Sequence, residues 1–236
     1  ISNKNYWSLS LTITISIVIF LLFSLIQTIV LFFFIPENFS NIDPKILAYR
    51  HLGVISLISS VLGVFLLILF VKLKTPSIKD YLDISIPNLK ITLFFLFLAC
   101  FLMVMIEYVS DLFPDIFETD FVIESYKQAN SLPLLYLGVV FFGPLFEELL
   151  FRGFLFKGLE KSFLGGHGAV FVSSILFSLV HIQYGFPILL CVLLPLSILL
   201  GYAKLKSGSI LLPVLIHLIN NFATCLLTHF EIYGSF

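Results

Sequence analysis

Residues 8–35 read SLSLTITISIVIFLLFSLIQTIVLFFFI, a stretch of apolar and hydroxyl residues interrupted by Gln27 alone and without a single charge. An α-helix needs about 20 apolar residues to cross the hydrocarbon core of a bilayer, so this run alone predicts a membrane helix. It is too long for the apolar region of a cleavable signal and has no small-residue cleavage site. We read it as a permanent first span. The chain starts at Ile1 and not Met, so further residues are expected ahead of it.

Outward from this helix, the whole composition agrees. Of 236 residues, 59% are hydrophobic and only 11% charged, and the mean hydropathy is +1.10. A soluble domain is about a quarter charged, because its exterior must face water; these charges are too few to coat a globule. The net charge of −1 excludes a general basic surface for nucleic acid. Cys100, Cys191 and Cys225 sit in apolar runs without a CxxC pair and are expected to be buried small hydrophobes.

Six more runs follow, at Leu52–Val71, Ile91–Val109, Leu135–Leu159, Ala169–Gly185, Pro187–Ala203 and Ser209–Phe230. The fold class expected is therefore all-α, a polytopic transmembrane helical bundle of about seven spans. Gly and Pro interrupt the last four, which membrane helices tolerate when packed against neighbours. Gly185-Phe186-Pro187 reads as a tight turn.

Charge between the runs sets an orientation. Lys4, Lys72, Lys74, Lys79, Lys90, Arg152, Lys157, Lys161, Lys204 and Lys206 fall on one side; only Lys45, Arg50 and Lys127 fall on the other. The third connection carries Asp111, Asp115, Glu118, Asp120 and Glu124. The positive-inside rule then places the N-terminus in the cytoplasm of a bacterial-type membrane and the C-terminus outside. Chemistry divides the chain near Leu132. Residues 1–131 read as scaffold helices, and residues 132–236 carry polar groups inside apolar runs, the two forming one integrated membrane domain.

Ionisable groups within membrane helices cost about 2.5–3.5 kcal/mol each even on lenient scales, so their default reading is functional. The groups are Glu147, Glu148 and Arg152, then His181, then His217 with Asn220 and Asn221. His51, His167 and His229 lie at span ends and are expected on the solvent side. At about 1.5 Å per residue, Glu147, His181 and Asn221 reach comparable depths of roughly 18–21 Å from the expected cytoplasmic edge, and His217 roughly 12 Å. This holds only if the fourth helix runs on past Arg152.

Helical spacing sorts the roles. Glu148 and Arg152 are four apart and can neutralise each other as an ion pair. Glu147 is turned about 100° away and is left to face a cavity. His217 and Asn221 share one face; Phe177 and His181 share another, with Phe177 and Asn220 lining the pocket. An unpaired carboxylate and two imidazoles in a water-accessible cavity suit hydrolysis, with Glu147 as general base. His181 can share the attacking water, and His217 and Asn221 can donate to a developing oxyanion.

Glu147-Glu148-Leu149-Leu150-Phe151-Arg152 matches EExxxR, Phe177 to His181 matches FxxxH, and His217 to Asn221 matches HxxxN. In this order, with Gly143-Pro144, Arg152-Gly153, Ser209-Ile210 and Pro213 beside them, they resemble the CAAX prenyl proteases and bacteriocin-processing enzymes, also called the Abi or CPBP family. The likeness covers roughly Leu135 to Thr228. It implies an integral membrane endopeptidase acting on a membrane-associated peptide or protein, with a cavity open to the cytoplasm. It also implies that Glu147 and His181 activate water while His217 and Asn221 hold the oxyanion. The family is described as zinc-dependent, and Glu147, His181 and His217 make a plausible zinc set; the spacing lacks HExxH, which favours catalysis without a metal. Partners expected are membrane lipid and the substrate. Two other readings keep the same residues: a non-catalytic membrane partner regulating a sensor kinase or other membrane protein, and a proton-relaying transporter. The transporter would spread polar groups through the full membrane depth, whereas the outer halves of these runs are apolar.

Overall fold

The computed structural model describes residues 6–36, 43–117 and 120–234; Lys4 and Glu118 lie outside them. Among the described residues there is no strand. The helices are α1 (Leu9–Phe32), α2 (Pro44–Lys72), the short α3 (Ile78–Tyr81), α4 (Leu89–Leu112), α5 (Asp120–Gln128), α6 (Leu132–Glu160), α7 (Gly165–Leu179), α8 (Phe186–Ser207) and α9 (Leu211–Tyr233). Caps of the expected chemistry begin five of them, Ser131 ahead of α6 accepting from Leu134 N. Ser8, Asp43, Ser77 and Asn88 each accept a hydrogen bond from a backbone N–H of the first turn, satisfying donors that a helix start leaves free.

Among the described residues six helices are long and apolar enough to cross a membrane: α1, α2, α4, α6, α8 and α9. The seventh segment is α7, and it is shorter. The run expected as Ala169–Gly185 is helical only to Leu179, about 22 Å at 1.5 Å per residue, against a core about 30 Å thick. Beyond it the chain makes a single 3₁₀ turn at Ile182–Tyr184 and reverses at Gly185, whose φ of +87° is open to glycine at little cost. The apolar run hides this break, because its hydropathy does not change where the helix ends.

Helix α6 is the centre. Of its most apolar window 56% is buried, against 11% for α4 at the periphery. Helices α2 and α9 flank its first half, and α1 and α7 its second; α8 joins α7 to α4 and α9. Backbone meets backbone where α2 packs on α6. A Cβ on Gly138 would stand 2.3 Å from the Gly53 carbonyl oxygen, and one on Gly53 would stand 2.4 Å from the Leu135 nitrogen. Two glycines let these backbones touch, the usual device of membrane interfaces.

Prolines shape α6 and α8. Pro144 has no N–H for the Val140 carbonyl and its ring crowds that oxygen, and the turns before it, Tyr136–Phe142, open to π geometry. Pro195 follows a π segment at Leu189–Leu193 in the same way. A second π stretch in α6, Leu149–Leu155, carries the helix on past Arg152 to Glu160, which the depth argument required.

One contact ties the bundle together at the end of α6. Asp83, in a left-handed backbone conformation with φ of +54° that Asp tolerates, receives hydrogen bonds from Lys157 of α6 at 2.6 and 2.8 Å and from Lys204 of α8 at 2.5 Å. Its carbonyl accepts from Ile210 N ahead of α9 at 3.0 Å. Burial pushes the Asp83 carboxyl up, but the two ammonium groups outweigh it and hold it below its ordinary value. Sequence reading placed no weight on this loop.

Corrections are local. Cys225 is buried, while Cys100 and Cys191 are exposed on outward faces of α4 and α8, where a small apolar thiol suits hydrocarbon equally well. His229 is not simply solvent-side: its Nδ1 stands 2.9 Å from the Tyr126 hydroxyl. His51 stacks on Phe34 at 3.9 Å between centroids, and His167 Nδ1 lies 3.1 Å from the Tyr202 hydroxyl.

Candidate active site

Three helices bring the polar groups together. Glu147 and Glu148 sit in Gly143–Glu148, an α-helical stretch of α6 between its two π segments; such π turns cluster at functional positions. Glu148 and Arg152 are both fully buried, and Arg152 Nη1 donates to Glu148 Oε1 at 2.8 Å. The guanidinium is held from three more directions. Its Nη2 donates to the Ser197 hydroxyl at 2.5 Å and to the Ser197 carbonyl at 3.2 Å, and the Phe177 ring lies 4.4 Å from its central carbon. Charge-assisted bonds and a ring face are what a buried cation requires.

Glu148 has a second partner. His217 Nδ1 stands 2.8 Å from the same Oε1. A carboxylate only accepts, so this nitrogen carries the proton and Nε2 is turned to the other side of the ring. The same logic fixes His181. It lies two residues beyond the end of α7, at φ −107° and ψ 27°, and its Nδ1 stands 2.8 Å from the Phe177 carbonyl. The imidazole thus caps one of the last carbonyls of α7, and its Nε2 also faces away from the cap.

Both free nitrogens converge on one oxygen. Glu147 Oε2 is 3.8 Å from His181 Nε2 and 3.8 Å from His217 Nε2. The three side chains are 24%, 17% and 6% exposed, a graded opening from the carboxylate inward. At 3.8 Å the groups do not hydrogen-bond directly, and such a gap is of the size that a bridging water serves. Phe177 backs the cluster, its centroid 4.6 Å from the His181 ring and 5.7 Å from the His217 ring.

Asn221 stands one turn of α9 beyond His217, and its hydrogen bonds go elsewhere than to Glu147. Its amide donates to the Val139 carbonyl at 3.0 Å, and its oxygen accepts from Asn220 at 3.2 Å. One N–H of the Asn221 amide remains uncommitted, with the side chain oriented by the other two bonds. The structure therefore gathers Glu147, His181 and His217, buries Glu148 and Arg152 behind them, and sets Asn221 alongside. Ser197 and the Val139 carbonyl complete the surroundings. Sequence reading missed both, since a lone Ser in an apolar run and a backbone carbonyl carry no motif.

Zinc is tested by its donors. The metal holds imidazole nitrogen and carboxylate oxygen at about 2.0–2.2 Å in a tetrahedron, which draws paired donors to about 3.3 Å apart. Glu147 Oε2 is wider than this from both rings, and among the described residues no three of His, Cys, Asp and Glu are grouped to hold a metal ion. The donor arrangement does not fit zinc. Purified protein should accordingly carry well under one zinc per chain. One equivalent of zinc would contradict this.

Comparison with known proteins meets the same segment. Residues 129–223 match the family model of the type II CAAX prenyl endopeptidase Rce1-like proteins, the family whose motifs the sequence resembles. An Escherichia coli protein described as an uncharacterized 24.3 kDa protein is 32% identical over 94 residues, which is 39% of this chain and 43% of that one. The match thus spans less than half of that relative's length. No solved structure matches.

Proposed function

We propose that this chain is an intramembrane endopeptidase that hydrolyses a peptide bond of a membrane-associated peptide or protein. The observation that carries the reading is the convergence of Glu147 Oε2 on two imidazole Nε2 atoms, each ring fixed from behind by its own acceptor. The match of residues 129–223 to a membrane protease family supports the same reaction class.

In this reading residues 132–236 supply the chemistry and residues 1–131 the scaffold. A water held among Glu147, His181 and His217 loses a proton to Glu147 as its oxygen attacks the scissile carbonyl carbon. The carbonyl π pair moves onto oxygen. His217 can donate to that oxyanion only as an imidazolium, because its Nδ1 proton is engaged by Glu148. Glu148 is placed to stabilise that charge, as an orienting carboxylate does for a catalytic histidine. The uncommitted N–H of Asn221 is the second donor. On collapse the C–N bond breaks and its pair is taken by the proton stored on Glu147, relayed through His181 Nε2, so that acid and amine leave with one water consumed.

The roles separate by substitution. With reconstituted protein and a membrane-associated peptide, His181→Ala should lower cleavage to background. Asn221→Ala should cost about a hundred- to a thousandfold in kcat with KM largely kept, the scale of a lost oxyanion donor. An unchanged kcat in both variants, with folding intact, would remove the proposed roles.

The cavity is proposed to open to the cytoplasm, following the Lys and Arg asymmetry. A reporter fused after Asn88 should then read cytoplasmic, and one inserted near Asp120 external. Reversed signals would overturn the orientation.

A further inference from the structure

Away from the catalytic cluster, α4 and α8 enclose a groove of about 790 Å³. Its walls are apolar, formed by Phe94, Leu98 and Phe101 of α4 and Pro195, Leu199 and Tyr202 of α8. Those positions on α8 recur every three or four residues, one helical stripe. Ser197 and Lys204 point to the opposite side, toward Arg152 and Asp83. The groove is therefore outside the catalytic site, on the back of the helix that steadies it.

Its two ends differ. The lining runs from Lys90 to Leu102 on α4 and from Lys206 back to Pro195 on α8, so both lysines stand at the same end. Each path is about 16–18 Å long at 1.5 Å per residue, close to half of a hydrocarbon core about 30 Å thick. The groove has the length of one leaflet, with two ammonium groups at the headgroup level and aromatic and aliphatic side chains below them. Both lysines are exposed, and neither is engaged by a carboxylate among the described residues. Lys157 and Lys204, in the same end of the bundle, are both taken up by Asp83.

We infer that this groove is a binding site for an anionic glycerophospholipid, with an acyl chain lying between α4 and α8 and the phosphate between Lys90 and Lys206. Basic pockets between transmembrane helices at the membrane surface suit acidic headgroups, and each lysine near the surface contributes on the order of a fivefold preference. A second copy of the chain is disfavoured as occupant. A two-fold contact through this face sets Lys90 and Lys206 against their own like-charged copies. The site is independent of the peptidase reading, since among the described residues none that lines it hydrogen-bonds or pairs with Glu147, His181 or His217.

The test compares phosphatidylglycerol with phosphatidylcholine of the same chains, titrated against the purified full chain in a neutral detergent and read by native mass spectrometry and thermal unfolding. Wild type should bind phosphatidylglycerol about tenfold or more tightly. The double variant Lys90→Gln/Lys206→Gln should unfold at the wild-type temperature in phosphatidylcholine yet lose the preference. Leu199→Trp, which fills the groove, should lose tight binding of phosphatidylglycerol while both lysines remain. Equal binding of the two lipids by wild type, or a preference unchanged in the double variant, would overturn the site. So would displacement of the phospholipid by glycerol phosphate, or by an uncharged isoprenoid alcohol, at matching concentration.

Discussion

Arg152→Leu should leave little folded protein in the membrane. Its guanidinium lies between Glu148, Ser197 and the ring of Phe177 with no exposure to solvent. Removing one partner of a buried pair strands the other charge, at a cost of about 3–5 kcal/mol, a large part of the stability of a typical domain. The double variant Glu148→Leu/Arg152→Leu removes both charges and should recover much of the folded yield, as a double-mutant cycle reads it. It should not recover cleavage, because His217 loses the acceptor that orients its ring. Folded yield and thermal midpoint of the two single variants and the double settle the matter. Losses that add would mean that the pair does not act as a unit.

The buried pair also marks how far the sequence could be read. Glu148 and Arg152 stand four apart on one helix, so their bond at 2.8 Å follows from local geometry. The same local argument turned Glu147 away from them, and that carboxylate is the one found facing two imidazoles. That His217 also leans on Glu148 was not legible, because the two residues are 69 apart in sequence and no helical period relates them. Asp83 was hidden for the same reason: its lysine partners lie 74 and 121 residues on. Loops that bind across a fold carry no pattern of their own.

Hydropathy served the spans well and their interruptions poorly. It located α1, α2, α4, α6, α8 and α9 because transfer to hydrocarbon depends on composition. It carried the fifth run to Gly185, although α7 stops at Leu179. The break is what frees His181 to bend back over the Phe177 carbonyl and present Nε2. The FxxxH spacing placed these two residues on one helical face; they do meet, but across a helix end. Pro144 and Pro195 announced a disturbance in α6 and α8, while the widening to π turns depends on packing that sequence does not state.

Glu147→Ala is the substitution on which the account turns. Glu147 makes no hydrogen bond to a described side chain; it approaches the two Nε2 atoms at 3.8 Å, and its charge also reaches Tyr184 and Arg152. Its removal should therefore leave the buried Glu148–Arg152–His217 chain intact. A small neutral residue at this depth is also cheaper for a membrane helix than a carboxylate, so the variant should insert and fold. What it lacks is the acceptor for the proton of the attacking water, and general-base catalysis alone is worth about a hundred- to ten-thousandfold. The direct measurement is cleavage of one membrane-associated peptide by wild type and by Glu147→Ala, each reconstituted and each shown to be folded. The account predicts turnover by wild type and background cleavage by the variant. Equal cleavage by both would contradict it, and a cellular effect of the wild type that persists in Glu147→Ala would point to a non-catalytic membrane partner.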